Sequence, residues 1–128
     1  MEKNVKKSII GQAIKYIGGI ILETSYIKNE KLLFVEITEE IDHHISDKLR
    51  RKIDNEITRY MPRKTILDFN RVSFMDSAGI GLIIGRYKMM NLIGGDLEIV
   101  NVSESIKKIL EMSGILKIIT VKEIKLAQ

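Results

Sequence analysis

The sequence predicts an α/β fold, a sheet covered by helices that are reached through right-handed crossovers wherever its strands run parallel. Three observations carry that expectation. Short runs rich in β-branched residues alternate with stretches whose apolar residues recur every three or four positions. The links between them are short, with glycines, one proline and helix-capping residues at the joins. The chain has 128 residues, 45% apolar and 30% charged, which suits one domain with a buried core.

Residues 2–17 place Val5, Ile9, Ile10, Ala13, Ile14 and Ile17 at helical spacing, with lysines on the other side and Gly18-Gly19 at the end. This predicts an amphipathic N-terminal extension helix, residues 1–19, beside a domain over residues 20–128. Such a helix either docks on its own domain or a dimer partner, or lies on an anionic membrane. The stretch is short and lacks Trp and Phe, which favours docking. No apolar run of about 18 residues is present to span a membrane. Gln12 and Lys15 interrupt what would be the core of a signal peptide.

Ile20 to Ile27 and Lys31 to Thr38 read as strands, and the short link Lys28-Asn29-Glu30 makes them an antiparallel hairpin. Asp42 is placed to cap a helix from about His43 to Met61, with Ile45, Leu49, Ile53, Ile57 and Tyr60 on one face. Arg50 with Asp54, and Lys52 with Glu56, form i,i+4 pairs on the solvent side. Pro62 stops this helix. Thr65 to Phe69 is a strand, and a loop holding Val72, Phe74 and Met75 leads to Asp76-Ser77. These two begin a helix that runs to about Leu92, before Gly94-Gly95. Gly81 and Gly85 share a face of it, which suggests close helix–sheet packing. Leu97 to Val102 gives another strand. Ser103 caps a helix carrying Ile106, Ile109, Leu110 and Met112 toward the core, Gly114 ends it, and Lys117 to Val121 supplies the last strand.

Several function classes fall away. There is no cysteine, which excludes disulfides and thiolate metal sites and fits a cytoplasmic protein. His43 and His44 cannot share one helix face, and no third ligand has metal-like spacing, so no metal is expected. Of the net charge of +4, residues 1–19 hold +3 through Lys3, Lys6, Lys7 and Lys15 against Glu2. The body is therefore nearly neutral, and its three Phe and four Tyr do not interleave with basic residues, which argues against nucleic acid.

Gly79-x-Gly81-xxx-Gly85 is a poor dinucleotide fingerprint. Gly79 already lies inside the helix, residues 70–76 intervene after the strand, and the next strand lacks an acidic end. No Gly-Lys-Ser/Thr follows, and Ser77 is not in a G-x-S-x-G elbow. Ser77 stands instead in the positive end of a helix dipole, where a phosphate is well placed. A phosphate there would add about −1.5 to −2 charges beside Asp76 and change any docking surface. The plain alternative is that Asp76 and Ser77 only cap the helix.

Phe74-Met75-Asp76-Ser77-Ala78-Gly79-Ile80-Gly81, Gly85-Arg86-Tyr87-Lys88, Gly94-Gly95 and Met112-Ser113-Gly114 form a set that, with Asp42-His43-His44, resembles the STAS-domain anti-sigma-factor antagonists. The likeness is strongest to the sporulation members and covers roughly residues 22–121. It implies a mixed sheet of about five strands with helices mainly on one face. It also implies a non-enzymatic, cytoplasmic regulator of transcription without a cofactor. In this family the unphosphorylated form binds a partner that is both anti-sigma factor and serine kinase, and so frees a sigma factor. Phosphorylation of the serine matched by Ser77 abolishes binding, and a metal-dependent serine phosphatase restores it.

The resemblance makes Asp76 and Ser77 the centre of partner binding, with Asp42, His43, Arg86 and Lys88 offered for partner contact or a weak nucleotide contact. The alternatives are a STAS scaffold module of a larger signalling assembly, or a small nucleotide-binding protein or hydrolase. This chain departs from the family pattern in four ways. Ala78 replaces a second hydroxyl residue after the acceptor, and Glu39 replaces the usual glycine before Asp42. The chain runs only a short way past the last strand, where the family continues into a helix, and residues 1–19 are extra.

Overall fold

A computed structural model describes residues 21–123; the extension helix expected over residues 1–19 lies outside the described residues. The sheet starts with a hairpin: β1 (Leu22–Ile27) pairs antiparallel with β2 (Leu32–Ile37) through a 3₁₀ turn at Lys28–Glu30. Lys31 closes this turn in the left-handed conformation, φ 50°. The chain then alternates through α1 (Ser46–Tyr60), β3 (Lys64–Asp68), α2 (Ser77–Leu92), β4 (Asp96–Val100), α3 (Glu104–Ser113) and β5 (Thr120–Lys122). The strands lie in sequence order, and β2, β3, β4 and β5 are parallel. Each crossover steps to the next strand in the same direction. Right-handed crossovers therefore put all three helices on one face. This is the mixed five-stranded sheet that the sequence led us to expect.

Alternation along the strands sorts the side chains. Leu33, Val35, Ile37, Leu67, Phe69, Leu97 and Ile99 point into the helix layer and meet Leu49, Ile53, Ile57, Leu82, Ile83, Ile106 and Leu110. The predicted stripe on α1 holds at its centre, with Leu49, Ile53 and Ile57 fully buried and Ile45 and Tyr60 at its margins. Tyr60 stacks on Tyr26 of β1 at 4.3 Å between ring centroids. Met61 then turns left-handed, φ 46°, and Pro62 follows.

Four expectations are corrected. The helix α1 begins at Ser46, not His43. Asp42 Oδ1 accepts the N–H groups of His44 (2.9 Å) and Ile45 (3.0 Å) and so holds a separate turn, the local bonding by which Asp competes with helix. Arg50 and Asp54 are not paired as a solvent-side couple: Arg50 binds Asp47 at 2.5 Å, and Asp54 turns to Arg86 of α2. Met112 is 88% exposed, because Ile106 and Leu110 take the core face of α3 and position 112 falls on the other side. Finally, Gly81 and Gly85 are not packing glycines, since a Cβ at either would meet nothing. The glycine of close approach is Gly79, where a Cβ would collide with the buried Met75 side chain.

Candidate functional site

The loops that follow β2 and β3 meet at the carboxyl ends of the parallel strands, where open α/β sheets usually place their sites. Ile41 and Met75 form a single parallel bridge between them. Ile41 N–H donates to the Phe74 carbonyl, and Asp76 N–H donates to the Ile41 carbonyl, each at 3.0 Å. Ile41 and Met75 are both buried, so the seam is anchored in the core while Phe74, between them and solvent, is 53% exposed. Glu40 adds a polar clamp. Its carboxylate accepts the Ser73 N–H at 3.1 Å and the Ser73 hydroxyl at 2.5 Å.

This double seam fixes where α2 begins. Asp76, extended at φ −97° and ψ −171°, is its N-cap, and Asp76 Oδ1 accepts the Ala78 N–H at 2.8 Å. Ser77 is the first helical residue and is exposed. Its hydroxyl therefore stands over the positive end of a 16-residue helix. Asp76 Oδ2 lies 3.8 Å from Nδ1 of His43, which is itself exposed, with the His43 and His44 rings 4.0 Å apart. Asp42 holds the turn beneath them. The Ile45 N–H foremost, then that of His44 and the nearby histidines, keeps its carboxyl below the usual range against the opposing effect of burial. The structure thus brings Asp42, His43, Asp76 and Ser77 together.

Arg86 and Lys88 are elsewhere. At about 1.5 Å per residue they lie roughly 13 and 16 Å along α2 from Ser77. Arg86 is buried against α1, with Nε 2.8 Å from Asp54 Oδ1. That approach is misaligned for a hydrogen bond, so the attraction is Coulombic. Burial foremost lowers the Arg86 pKa, opposed by Asp54 and reinforced by Arg50. Its guanidinium is accordingly a strut between two helices and not a surface contact. Lys88 is exposed and shares the outer stripe of α2 with Ser77, Gly81 and Gly85.

The model of the STAS domain matches residues 24–126. The chain belongs to the STAS family. It is 38% identical over 90 residues to the anti-sigma F factor antagonist of Paenibacillus polymyxa, covering 70% of this chain and 77% of that one. Among solved structures, SpoIIAA in its unphosphorylated form superposes with a TM-score of 0.68 at 27% identity, over 78% of this chain and 86% of that one. The phosphorylated form of SpoIIAA, the Bacillus cell fate determinant, gives a TM-score of 0.61 at the same identity, over 78% and 89%. The likeness to sporulation-type STAS proteins read from the motifs therefore stands.

Within this STAS domain, Glu39 is exposed and is not among the residues with left-handed backbone. The turn before Asp42 therefore has no need of the glycine usual in the family at that position. Sequence reasoning missed Glu40 as the clamp on Ser73, and it missed Phe74 as an exposed apolar side chain beside the serine. The signal for Glu40 was faint: an acidic residue just before the turn that Asp42 caps.

Proposed function

We propose that this STAS protein is an anti-sigma factor antagonist switched by phosphorylation of Ser77. The unphosphorylated form binds an anti-sigma factor that is also a serine kinase, and so releases a sigma factor. The kinase moves the γ-phosphoryl group of ATP to Ser77 Oγ, which loses its proton, and ADP leaves. A serine phosphatase reverses the step. The protein itself is a cytoplasmic binding module and not an enzyme, and it needs no cofactor.

The observation that carries this reading is the exposed hydroxyl of Ser77 on the first turn of a helix capped by Asp76. Two other serine hydroxyls have partners within the fold. Ser73 donates to Glu40, and Ser103 caps α3 by accepting the Ile106 N–H. Ala78 offers no hydroxyl. A phosphate on Ser77 is compatible with the fold because the helix N-terminus favours negative charge. On the docking surface formed by Phe74, Asp76, Ser77 and Gly81, the same charge would oppose a partner shaped for a hydroxyl. The relatives named as anti-sigma factor antagonists, and the two phosphorylation states of SpoIIAA, support the same assignment.

The test is incubation with the anti-sigma kinase and ATP, followed by mass mapping. One phosphate is expected, at Ser77, and none on Ser77→Ala. A phosphate mapped to Ser73, Ser103 or Ser105 instead would overturn the assignment.

A further inference from the structure

Among the described residues the second face of the sheet carries no α-helix, since their three helices lie on the other side. By register and alternation it presents Glu23, Ser25 and Ile27 of β1, Leu32, Phe34 and Glu36 of β2, and Lys64, Ile66 and Asp68 of β3. Asp96, Glu98 and Val100 of β4 and Thr120 and Lys122 of β5 complete it. Two properties of this face stand out. It holds its own apolar cluster of Leu32, Ile66 and Val100, flanked by Ile27 and Phe34 and separate from the main core. It is also acidic, with five carboxylates against two lysines, a net of −3.

These residues are buried although no helix of the described residues is on their side. Val100 has no exposure, and Glu36, Asp68 and Glu98 are each at most 7% exposed. Lys64 and Lys122 account for part of the shielding of Glu98, at 2.8 and 3.3 Å from its Oε2. Burial of apolar side chains and carboxylates together is the pattern expected of a sheet face with a further layer on it.

We propose that residues 2–17 of the same chain form that layer, as an amphipathic helix lying across the second face of the sheet. Its apolar stripe, Ile9, Ile10, Ile14 and Ile17 with Val5 and Ala13, matches the cluster around Ile66 and Val100. Its net charge of +3, from Lys3, Lys6, Lys7 and Lys15 against Glu2, complements the −3 of the face. A 16-residue helix is about 24 Å long, and five strands at about 4.8 Å spacing span roughly 19 Å. The connection is short and fits: Gly18-Gly19 precede Ile21 and β1, the edge strand of the sheet. The positive segment, which could otherwise bind an anionic membrane, thereby lies over an acidic face of the protein itself. The proposal is independent of the reading of Ser77.

The chain has no cysteine, so Lys7→Cys gives a single attachment site for a nitroxide label on the polar side of the segment. Paramagnetic broadening of methyl signals then reports which face the segment covers. Docking predicts strong broadening of Leu32, Ile66 and Val100 and weaker broadening of Leu49, Ile53 and Ile83 on the helix side. Undiminished Leu32, Ile66 and Val100 signals would overturn the proposal, and co-sedimentation with phosphatidylglycerol vesicles would then assign the segment to a membrane surface. Broadening seen only between labelled and isotope-labelled copies in a mixture would also overturn it, in favour of exchange within a dimer. The labelled full-length chain keeps both the body and the apolar stripe intact, so the result does not depend on a truncated protein folding.

Discussion

In its first two turns α2 offers Ser77 and Gly81 to solvent, whereas about two to four turns from Ser77 Arg86 and Met90 are sealed against α1 and β3. One helix thus has a presenting end and an anchoring end. The anchoring end uses a cation held by Asp54 and a sulfur that accepts from the Thr65 hydroxyl at 3.2 Å. The presenting end uses a cap, a bare outer stripe and a loop seam held by Ile41 and Met75. The difference teaches that the site can be rigid without being deep, because rigidity comes from the far end of the helix and from beneath the loop. The proposed phosphate on Ser77 would then alter the surface while the fold stays the same.

Breaking the anchor should have the largest effect on stability. Asp54→Ala leaves the Arg86 cation buried without its partner, which costs about 3 kcal/mol. Chemical denaturation should read this as a lowered midpoint with an unchanged slope. A midpoint like wild type would mean that Arg86 relaxes outward and that α2 has no such anchor.

A smaller loss is expected from Gly79→Ala. The added methyl must displace the buried Met75 side chain, and overpacking of this kind costs about 1–3 kcal/mol. Because Met75 belongs to the loop seam, Ser73 should also lose protection in hydrogen exchange. Loss of stability without loosening at Ser73 would separate the seam from the helix start.

The smallest effect has the opposite sign. Gly81→Ala adds a methyl into open space and removes the backbone freedom of a mid-helix glycine, a gain of about 0.5–1 kcal/mol. Melting should rise by a few degrees while affinity for the anti-sigma partner falls, if the bare stripe is where the partner comes close. A variant that is stabilised with full affinity would show that the stripe is not part of the interface.

The same contrast explains what could be read from the sequence. The presenting end was legible because its signals are local: Asp76 caps and Ser77 begins the helix. The helical period likewise gave the core face of α1, but it placed Met112 of α3 and Gly81 and Gly85 of α2 on the wrong side. The anchor was not legible. Asp54 lies four residues from Arg50, and the i,i+4 rule pairs them, but a local surface pair is worth only tenths of a kcal/mol. The buried Arg86, 32 positions away, takes Asp54 instead. Ser73 and Glu40, 33 positions apart, are hidden for the same reason. Gly79, Gly81 and Gly85 look alike in sequence, and only the neighbour present at Gly79 separates them. Periodicity tells which way a residue points, not what waits there.

The central claim is that charge at Ser77 controls docking without touching the fold, and binding of the anti-sigma partner to wild type and to Ser77→Asp tests it most directly. A docking loss of about 3 kcal/mol corresponds to roughly a hundredfold weaker Kd. The account predicts at least that weakening for Ser77→Asp by titration calorimetry, with melting temperatures that nearly coincide. Equal affinity of the two proteins for the partner would contradict it.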